Sequence, residues 1–170
     1  MDRIYTHKSG AQLWQGSIHD VNRLIKDGNS LISVIGLFAK ECQPHDPHGR
    51  YELIKTGYDD NPMAGNKELS RVAILAGNAA DVFSNRIRKG KSCLSSCHMG
   101  LNRSGIVSAL TLMKLAGMSP AEAVARVQRE RRPQSGMSAL CNPRFVEAIH
   151  NMARTVGSKS AYTEWYSEHR

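Results

Sequence analysis

The chain has 170 residues, of which 41% are hydrophobic and 22% are charged, a composition typical of one soluble globular domain. A chain of this length buries a sizeable core without disulfides or a structural metal. The net charge of +8 favours an anionic partner, such as a phosphorylated protein, a phosphoinositide or a nucleic acid. An unspecialised basic surface explains the same charge equally well.

The four cysteines, Cys42, Cys93, Cys97 and Cys141, form no C-x-x-C pair. Zinc sites usually need two ligand clusters of matched spacing, so we expect no metal and no cofactor. The first residues contain no apolar stretch typical of a signal peptide. No apolar run approaches the ~20 residues that a membrane span needs. We therefore expect free thiols in a reducing, cytoplasmic setting.

The first half of the chain alternates predicted strands and helices. Three strands are predicted: a short one at residues 12–18 from its alternating pattern, one at 31–38 from an apolar run, and another at 51–58. The second of these is continuously apolar and is expected to be buried on both faces. Apolar residues at helical spacing predict two helices, at 19–28 and 67–89. The segments 41–50 and 59–66 are rich in Pro, Gly, His and Asp and predict loops.

The second half contains one strand followed by helices. The pattern predicts a strand at 91–96, then helices from about Arg103 to Gly117, from Ser119 to Arg132 and from Asn142 to Met152. Ser119 and Glu122 form a predicted capping box. Alternating strands and helices followed by helices indicate an α/β fold, with a central mostly parallel sheet flanked by helices. We expect one domain over residues 1–155 and a C-terminal tail over 156–170.

The segment CHMGLNRSG, from Cys97 to Gly105, lies between the predicted strand and an apolar helix. The helix that begins near Arg103 would direct its free N–H groups toward Cys97, and such groups bind anions. Gly100 supplies a residue that tolerates positive φ. The guanidinium of Arg103 fits two phosphate oxygens at once.

These residue types in this order predict a phosphate cradle around a nucleophilic thiolate. Ser104 can donate its hydroxyl to the Cys97 sulfur. The predicted phosphate-binding residues are His98, Met99, Gly100, Leu101, Asn102 and Arg103. A thiolate in such a cradle attacks phosphorus, and water then hydrolyses the phosphocysteine. The competing interpretation is a buried cysteine that only packs, but the full pattern C-x-x-G-x-x-R-S-G is far more specific than C-x5-R alone.

This loop resembles the signature of the cysteine-based protein tyrosine phosphatase superfamily, and most closely that of its small dual-specificity phosphatases. QGSIHDVNRLIKDG, SPAEAVARVQRERRP and NPRFVEAI are also similar to segments of that family. The resemblance implies a single small dual-specificity phosphatase-like domain that acts on phosphorylated proteins without a metal. It also implies an aspartate general acid on a loop before the nucleophile. Asp60 and Asp59, which lie 37 and 38 residues before Cys97, are the candidates.

The chain departs from the family pattern beside the nucleophile. Ser96 stands where the family usually has histidine, KSCLSS is less apolar than the usual strand, and His98 follows the nucleophile. Asn102 before Arg103 is similar to RNA 5′-triphosphatases of the same superfamily. We therefore expect a protein phosphatase acting on phosphotyrosine, phosphoserine or phosphothreonine. The alternatives are an RNA 5′-phosphatase or triphosphatase on the same scaffold and a catalytically weak phosphate-binding module.

Basic residues crowd the end of the helix that Ser119 begins. Four arginines lie close together there: Arg126, Arg129, Arg131 and Arg132. Two interpretations compete for this cluster. It either forms a solvated face that suits a helix C-terminus, or it binds a second phosphate, an RNA or another polyanion.

Overall fold

The computed structural model describes residues 1–133 and 136–156. Strands and helices alternate through the first half, and three helices follow the last strand. In chain order the elements are β1 (Asp2–Thr6), β2 (Gln12–Ser17), α1 (Ile18–Asp27), β3 (Val34–Leu37), β4 (Glu52–Lys55), α2 (Asn66–Arg88), β5 (Cys93–Cys97), α3 (Arg103–Ala116), α4 (Pro120–Glu130) and α5 (Pro143–Val156).

The five strands form one sheet in the order β1-β2-β5-β3-β4. β2, β5, β3 and β4 are parallel, and β1 pairs antiparallel with β2 at one edge. The predicted α/β fold with a mostly parallel sheet is therefore confirmed. The register aligns Ser17 of β2 with Cys97 of β5, and Leu37 of β3 with Ser96. Cys97 thus leaves the sheet at the carboxyl ends of the central strands, where open α/β sheets bind ligands.

Helices cover the sheet in two groups. α1 packs against β2 and β5, and α2, α3, α4 and α5 pack against one another as a second layer. Three aromatic rings contact one another in the core. The ring centroids of Phe38 and Tyr58 are 6.3 Å apart, and those of Tyr58 and Phe145 are 6.1 Å apart. β5 is buried throughout despite its two serines. The Ser95 hydroxyl is satisfied by a 2.8 Å hydrogen bond that it donates to the Ser104 carbonyl.

Local sequence signals explain the helix ends. The predicted capping box at the start of α4 is confirmed, since Ser119 and Glu122 exchange hydrogen bonds of 2.8 and 3.3 Å. Gly28 ends α1 in the left-handed conformation that glycine tolerates. Asn142 caps α5 by accepting a 3.0 Å bond from the Arg144 N–H, as the sequence predicts.

The structure differs from the sequence expectation at its edges. β1 was not predicted. β3 and β4 are each shorter than the strands predicted at residues 31–38 and 51–58. α5 extends to Val156, one residue into the predicted tail. The rest of that tail, residues 157–170, lies outside the described part of the chain. None of the described helices combines the length and the apolarity that crossing a bilayer requires.

Candidate active site

Cys97 is the last residue of β5, and α3 begins six residues later at Arg103. The intervening residues 98–102 are called the nucleophile loop below. The Cys97 side chain is 3% exposed, and its Sγ lies 3.4 Å from the hydroxyl oxygen of Ser104 in the first turn of α3. The first turn of α3 carries no acidic residue. The thiol therefore faces the positive end of a helix dipole, which stabilises an anion.

Two buried side chains, Gln15 and Arg131, donate hydrogen bonds to carbonyl groups of the nucleophile loop. Gln15 donates to the carbonyls of Gly100 and Leu101 at 3.0 and 3.3 Å. Arg131 donates to those of Gly100 and Met99 at 2.9 and 3.3 Å. Both side chains are fully or almost fully buried. No N–H of residues 98–102 donates to another protein group in the described part of the chain, so these groups remain available to an anion.

Gly100 of the nucleophile loop lies directly against the end of β2. Its φ is +71°, and a Cβ placed on it would lie 2.3 Å from the Gly16 carbonyl carbon and 2.4 Å from the Gly16 oxygen. Both the backbone conformation and the lack of space therefore require glycine here. This close contact fixes the loop against the end of β2.

The Arg103 side chain is 13% exposed, and its guanidinium is shared between two partners. Its terminal nitrogens contact the Glu41 carboxylate at 2.9 and 3.4 Å and the Tyr58 carbonyl at 3.5 Å. Its Nε is buried and has no hydrogen-bond partner in the described structure. Burial opposes the charge of this side chain, but the bond to Glu41 and the proximity of Cys97 outweigh it and raise the pKa of Arg103.

The two candidate acids point to different partners. Asp60 accepts hydrogen bonds from the side-chain amides of Asn102 at 3.0 Å and Asn142 at 2.7 Å, so it is tied to the nucleophile loop. Asp59 instead forms an ion pair of 3.0 Å with Lys40, and both side chains are 62% exposed. The structure thus brings Asp60, and not Asp59, into hydrogen-bond contact with the residues around Cys97.

The histidine that the family resemblance places before the nucleophile is Ser96 here. Ser96 is fully buried and its hydroxyl has no hydrogen-bond partner in the described structure. The orientation of the loop therefore depends on Gln15 and Arg131 rather than on that position. His98 is exposed beside the loop.

The interpretation of the arginine cluster was wrong for Arg131. This residue is 2% exposed, binds the nucleophile loop, and forms a 2.5 Å ion pair with Asp2. It is therefore neither a solvated charge nor a free polyanion ligand. Arg126 and Arg129 pair with Glu130, while Arg132 remains 85% exposed.

Sequence reasoning also missed three other contacts of the site. All three contacts join residues far apart in the chain. Gln15 binds Gly100 across 85 positions, Glu41 binds Arg103 across 62, and the Asn142 amide binds Asp60 across 82. No local pattern marks such long-range pairs. Asn142 was recognised as a helix cap, but its second bond depends on the tertiary fold.

The other core thiols have environments that keep them protonated. Burial raises the pKa of Cys42 to about 11 and that of Cys93 to about 12, so neither forms a thiolate at neutral pH. The described residues contain no group of three or more His, Cys, Asp or Glu side chains that could hold a metal ion.

Comparison with solved structures identifies the fold. Human DUSP28 superposes with a TM-score of 0.72 at 19% identity, covering 94% of this chain and 100% of that one. A mouse putative dual specificity phosphatase, solved with zinc tungstate, gives 0.66 at 18% identity, with 94% and 90% covered. The tyrosine phosphatase OH1 from the Orf virus gives 0.66 at 18%, with 89% and 85% covered.

No family model and no curated protein sequence matches the chain. The structural matches nevertheless confirm the resemblance drawn from the Cys97 loop at the level of fold: the chain has the fold of the cysteine-based, dual-specificity-like phosphatases. At these identities the matches establish architecture, and the chemistry must be argued from the site itself.

Proposed function

We propose that the protein is a cysteine-dependent phosphatase that hydrolyses phosphotyrosine, phosphoserine or phosphothreonine in proteins through a phosphocysteine intermediate. The observation that carries this proposal is the cradle around Cys97. The N–H groups of the nucleophile loop and the buried, unpartnered Nε of Arg103 are donors without protein acceptors in the described structure. Buried donors normally have partners, and a phosphoryl group would supply the missing acceptor oxygens.

The proposed reaction uses four side chains. The Cys97 thiolate attacks phosphorus, and the bond between phosphorus and the ester oxygen breaks as Asp60 gives that oxygen a proton. The loop N–H groups and Arg103 stabilise the charge on the transferred phosphoryl group. Water then attacks the phosphocysteine, with Asp60 accepting its proton, and inorganic phosphate and the thiolate are released. The Ser104 hydroxyl, 3.4 Å from Sγ, donates to the departing thiolate.

A protein substrate agrees better with the surroundings of the cradle than RNA does. Glu41, which is 50% exposed, pairs with Arg103, and the exposed Asp60 also lies near enough to act on its charge. Two carboxylates therefore lie beside Arg103, where a polynucleotide would bring further phosphates. Asn102, which prompted the RNA interpretation, is already engaged with Asp60. The Orf virus tyrosine phosphatase displays triple substrate specificity, so this fold accommodates more than one class of substrate.

The test is hydrolysis of 4-nitrophenyl phosphate in EDTA and a reducing agent by the wild type and by Cys97→Ser. We expect metal-independent turnover that falls by at least ~10³-fold in the variant, because hydroxyl is a weak nucleophile without a base. Vanadate or phosphate should still bind the variant, since the cradle is intact. Cys93→Ala is the matched control: it removes a buried thiol of the same strand and should retain turnover.

Phosphopeptides and 5′-phosphorylated RNA should then be compared as substrates of the wild type. Faster turnover of RNA 5′-ends would contradict the proposed substrate class and favour an RNA phosphatase. Binding of phosphate without any turnover would instead identify a phosphate-binding module.

A further inference from the structure

The side chain of Asn102 joins three separate segments of the chain. Its Nδ2 donates to Asp60 at 3.0 Å. Its Oδ1 accepts from the Asn142 N–H at 3.1 Å and from the Cys141 thiol at 3.4 Å. Asn102 belongs to the nucleophile loop, Asp60 to the loop of residues 59–65 (the acid loop), and Asn142 to the start of α5. One amide therefore connects the nucleophile loop, the acid loop and a helix of the core.

Asp60 has little else to hold its carboxylate. Its two oxygens accept from Asn102 and from the Asn142 amide, and no other side chain in the described structure donates to them. The Asn142 amide is itself fixed, because its oxygen caps α5 through the Arg144 N–H at 3.0 Å. The position of Asp60 is thus set by two amides, one of which lies next to Arg103 in sequence.

We propose that Asn102 is a positioning residue that places Asp60 for proton transfer to the leaving group. This inference rests on the proposed phosphatase function. An amide suits the position because it donates at one end and accepts at the other. Aspartate there would set a second carboxylate against Asp60, and alanine would leave Asp60 with one of its two anchors. Since Asn102 directly precedes Arg103, it aligns the acid with the group that holds the phosphate.

The inference predicts a dependence on the leaving group. 4-Nitrophenolate departs readily without a proton, whereas a phenol with a pKa of about 10 needs the general acid. Positioned general acids contribute roughly 10²- to 10⁴-fold. We expect Asn102→Ala to lower kcat on phenyl phosphate by ~10- to 100-fold and on 4-nitrophenyl phosphate by less than ~3-fold. Vanadate affinity should change little, because Asn102 contributes its backbone and not its side chain to the cradle.

The experiment measures kcat over a series of aryl phosphates for the wild type, Asn102→Ala, Asn102→Asp and Asp60→Asn. Asp60→Asn defines the slope of log kcat against the pKa of the leaving group when the acid is absent. The two Asn102 variants should shift toward that slope, and Asn102→Asp should shift the further of the two. Asn142→Ser is a second arm: serine still caps α5 but loses the amide that donates to Asp60, so it should steepen the slope as well.

The outcomes are distinguishable. If Asn102→Ala loses the same factor on every substrate, or loses nothing, Asn102 has only a structural role and the inference is wrong while the phosphatase function stands. A lower melting temperature alone does not support it, because packing would produce that too. If the wild type turns over none of the aryl phosphates, the proposed function fails first and this inference falls with it.

Discussion

The nucleophile loop and the acid loop lie side by side but are held in opposite ways. Buried groups surround the nucleophile loop: Gln15 and Arg131 bind its carbonyls, and Gly100 lies against Gly16. The acid loop is largely solvent-exposed. Met63 within it is 87% exposed.

The difference separates two tasks of the same site. A cradle for phosphate must exist before the substrate arrives, since donors that need no rearrangement stabilise the transition state best. The proposed acid must lie beside the leaving group, and the Asn102 and Asn142 amides hold Asp60 there while much of its loop stays exposed to solvent. Changes to the nucleophile loop should therefore cost far more activity than changes to the exposed part of the acid loop, and the following substitutions test that ranking.

The largest effect is expected from Gly100→Ala. A methyl group would collide with backbone atoms of Gly16 at 2.3 and 2.4 Å, so the nucleophile loop must move away from β2. Misplacing several phosphate donors should lower kcat/KM on 4-nitrophenyl phosphate by ~10²-fold or more, the cost typical of losing a single such donor. Vanadate titration should show a parallel loss of affinity.

Gly117→Ala is the matched control for that substitution. Gly117 has a similar φ of +65° at the end of α3, but nothing lies within 4 Å of the added Cβ. It should lose ~1–2 kcal/mol of stability from the left-handed backbone alone and keep its activity. Equal losses of activity in both variants would show that backbone strain, and not contact with Gly16, is responsible.

The next effect is expected from Arg131→Met. This change leaves the Asp2 carboxylate, which is 15% exposed, without its 2.5 Å partner. It also frees the Met99 carbonyl and leaves the Gly100 carbonyl with the bond from Gln15 alone. Removing one member of a buried ion pair typically costs ~3–5 kcal/mol. Urea unfolding should report that loss, and we expect a drop of about tenfold in kcat/KM, equivalent to 1.4 kcal/mol of transition-state stabilisation.

Arg132→Met tests whether burial is the reason for the large loss of stability expected from Arg131→Met. Arg132 contacts the same carboxylate of Asp2 at 3.5 Å but is 85% exposed, so its removal should change stability by about 0.5 kcal/mol or less. If Arg131→Met and Arg132→Met unfold at the same urea concentration, the buried contacts of Arg131 contribute less to the stability of the fold than their geometry indicates.

The contrast between the loops also explains what the sequence predicts well. The cradle is local: Cys97, Gly100 and Arg103 lie within seven residues between a strand and a helix, so their spacing alone predicts their geometry. Capping at Ser119 and Asn142 is local as well. Arg131 was misjudged because charge patterning treats arginine as solvated, while its partners are Asp2 and carbonyls 31 and 32 residues away.

β1 escaped prediction for a related reason. DRIYT has two charged residues and only Ile4 fully buried, so its apolar pattern is weak, and pairing with β2 defines it as a strand. The proposal of Asp60 rather than Asp59 as the acid rests on the tertiary contacts of Asn102 and Asn142 with Asp60. The sequence thus predicts the nucleophile side of the site, and the fold is needed for the acid side.

Glu41→Gln should produce a smaller change. The carboxylate fixes the terminal nitrogens of Arg103, while the buried Nε has no partner in the described structure. A neutral amide would hold the guanidinium more weakly, and we expect KM to rise by ~3- to 10-fold, which corresponds to about the net contribution of one ordinary hydrogen bond. A fall in KM would instead show that Glu41 competes with the substrate phosphate.

The pH dependence of that variant has a defined sign. Hydrogen bonds from its own backbone N–H and from Arg103 lower the pKa of Glu41 below its usual 4.5. The stabilisation that the Glu41 carboxylate gains from these bonds is therefore present above the usual pKa. It is lost as the pH falls through the lowered pKa. The wild type and Glu41→Gln should differ in KM at pH 7 and converge as the pH falls below about 4.5.

The smallest effect is expected from Asp59→Asn, on the exposed side of the acid loop. Its ion pair with Lys40 joins two side chains that are each 62% exposed, and such pairs contribute ~0–1 kcal/mol. We expect kcat/KM to stay within ~2-fold, and the leaving-group slope to match the wild type, since the Asn102 and Asn142 amides still hold Asp60. Lys40→Gln should behave alike. If Asp59→Asn instead steepened the slope as Asp60→Asn does, proton transfer would belong to Asp59, and the contacts of Asp60 would be structural.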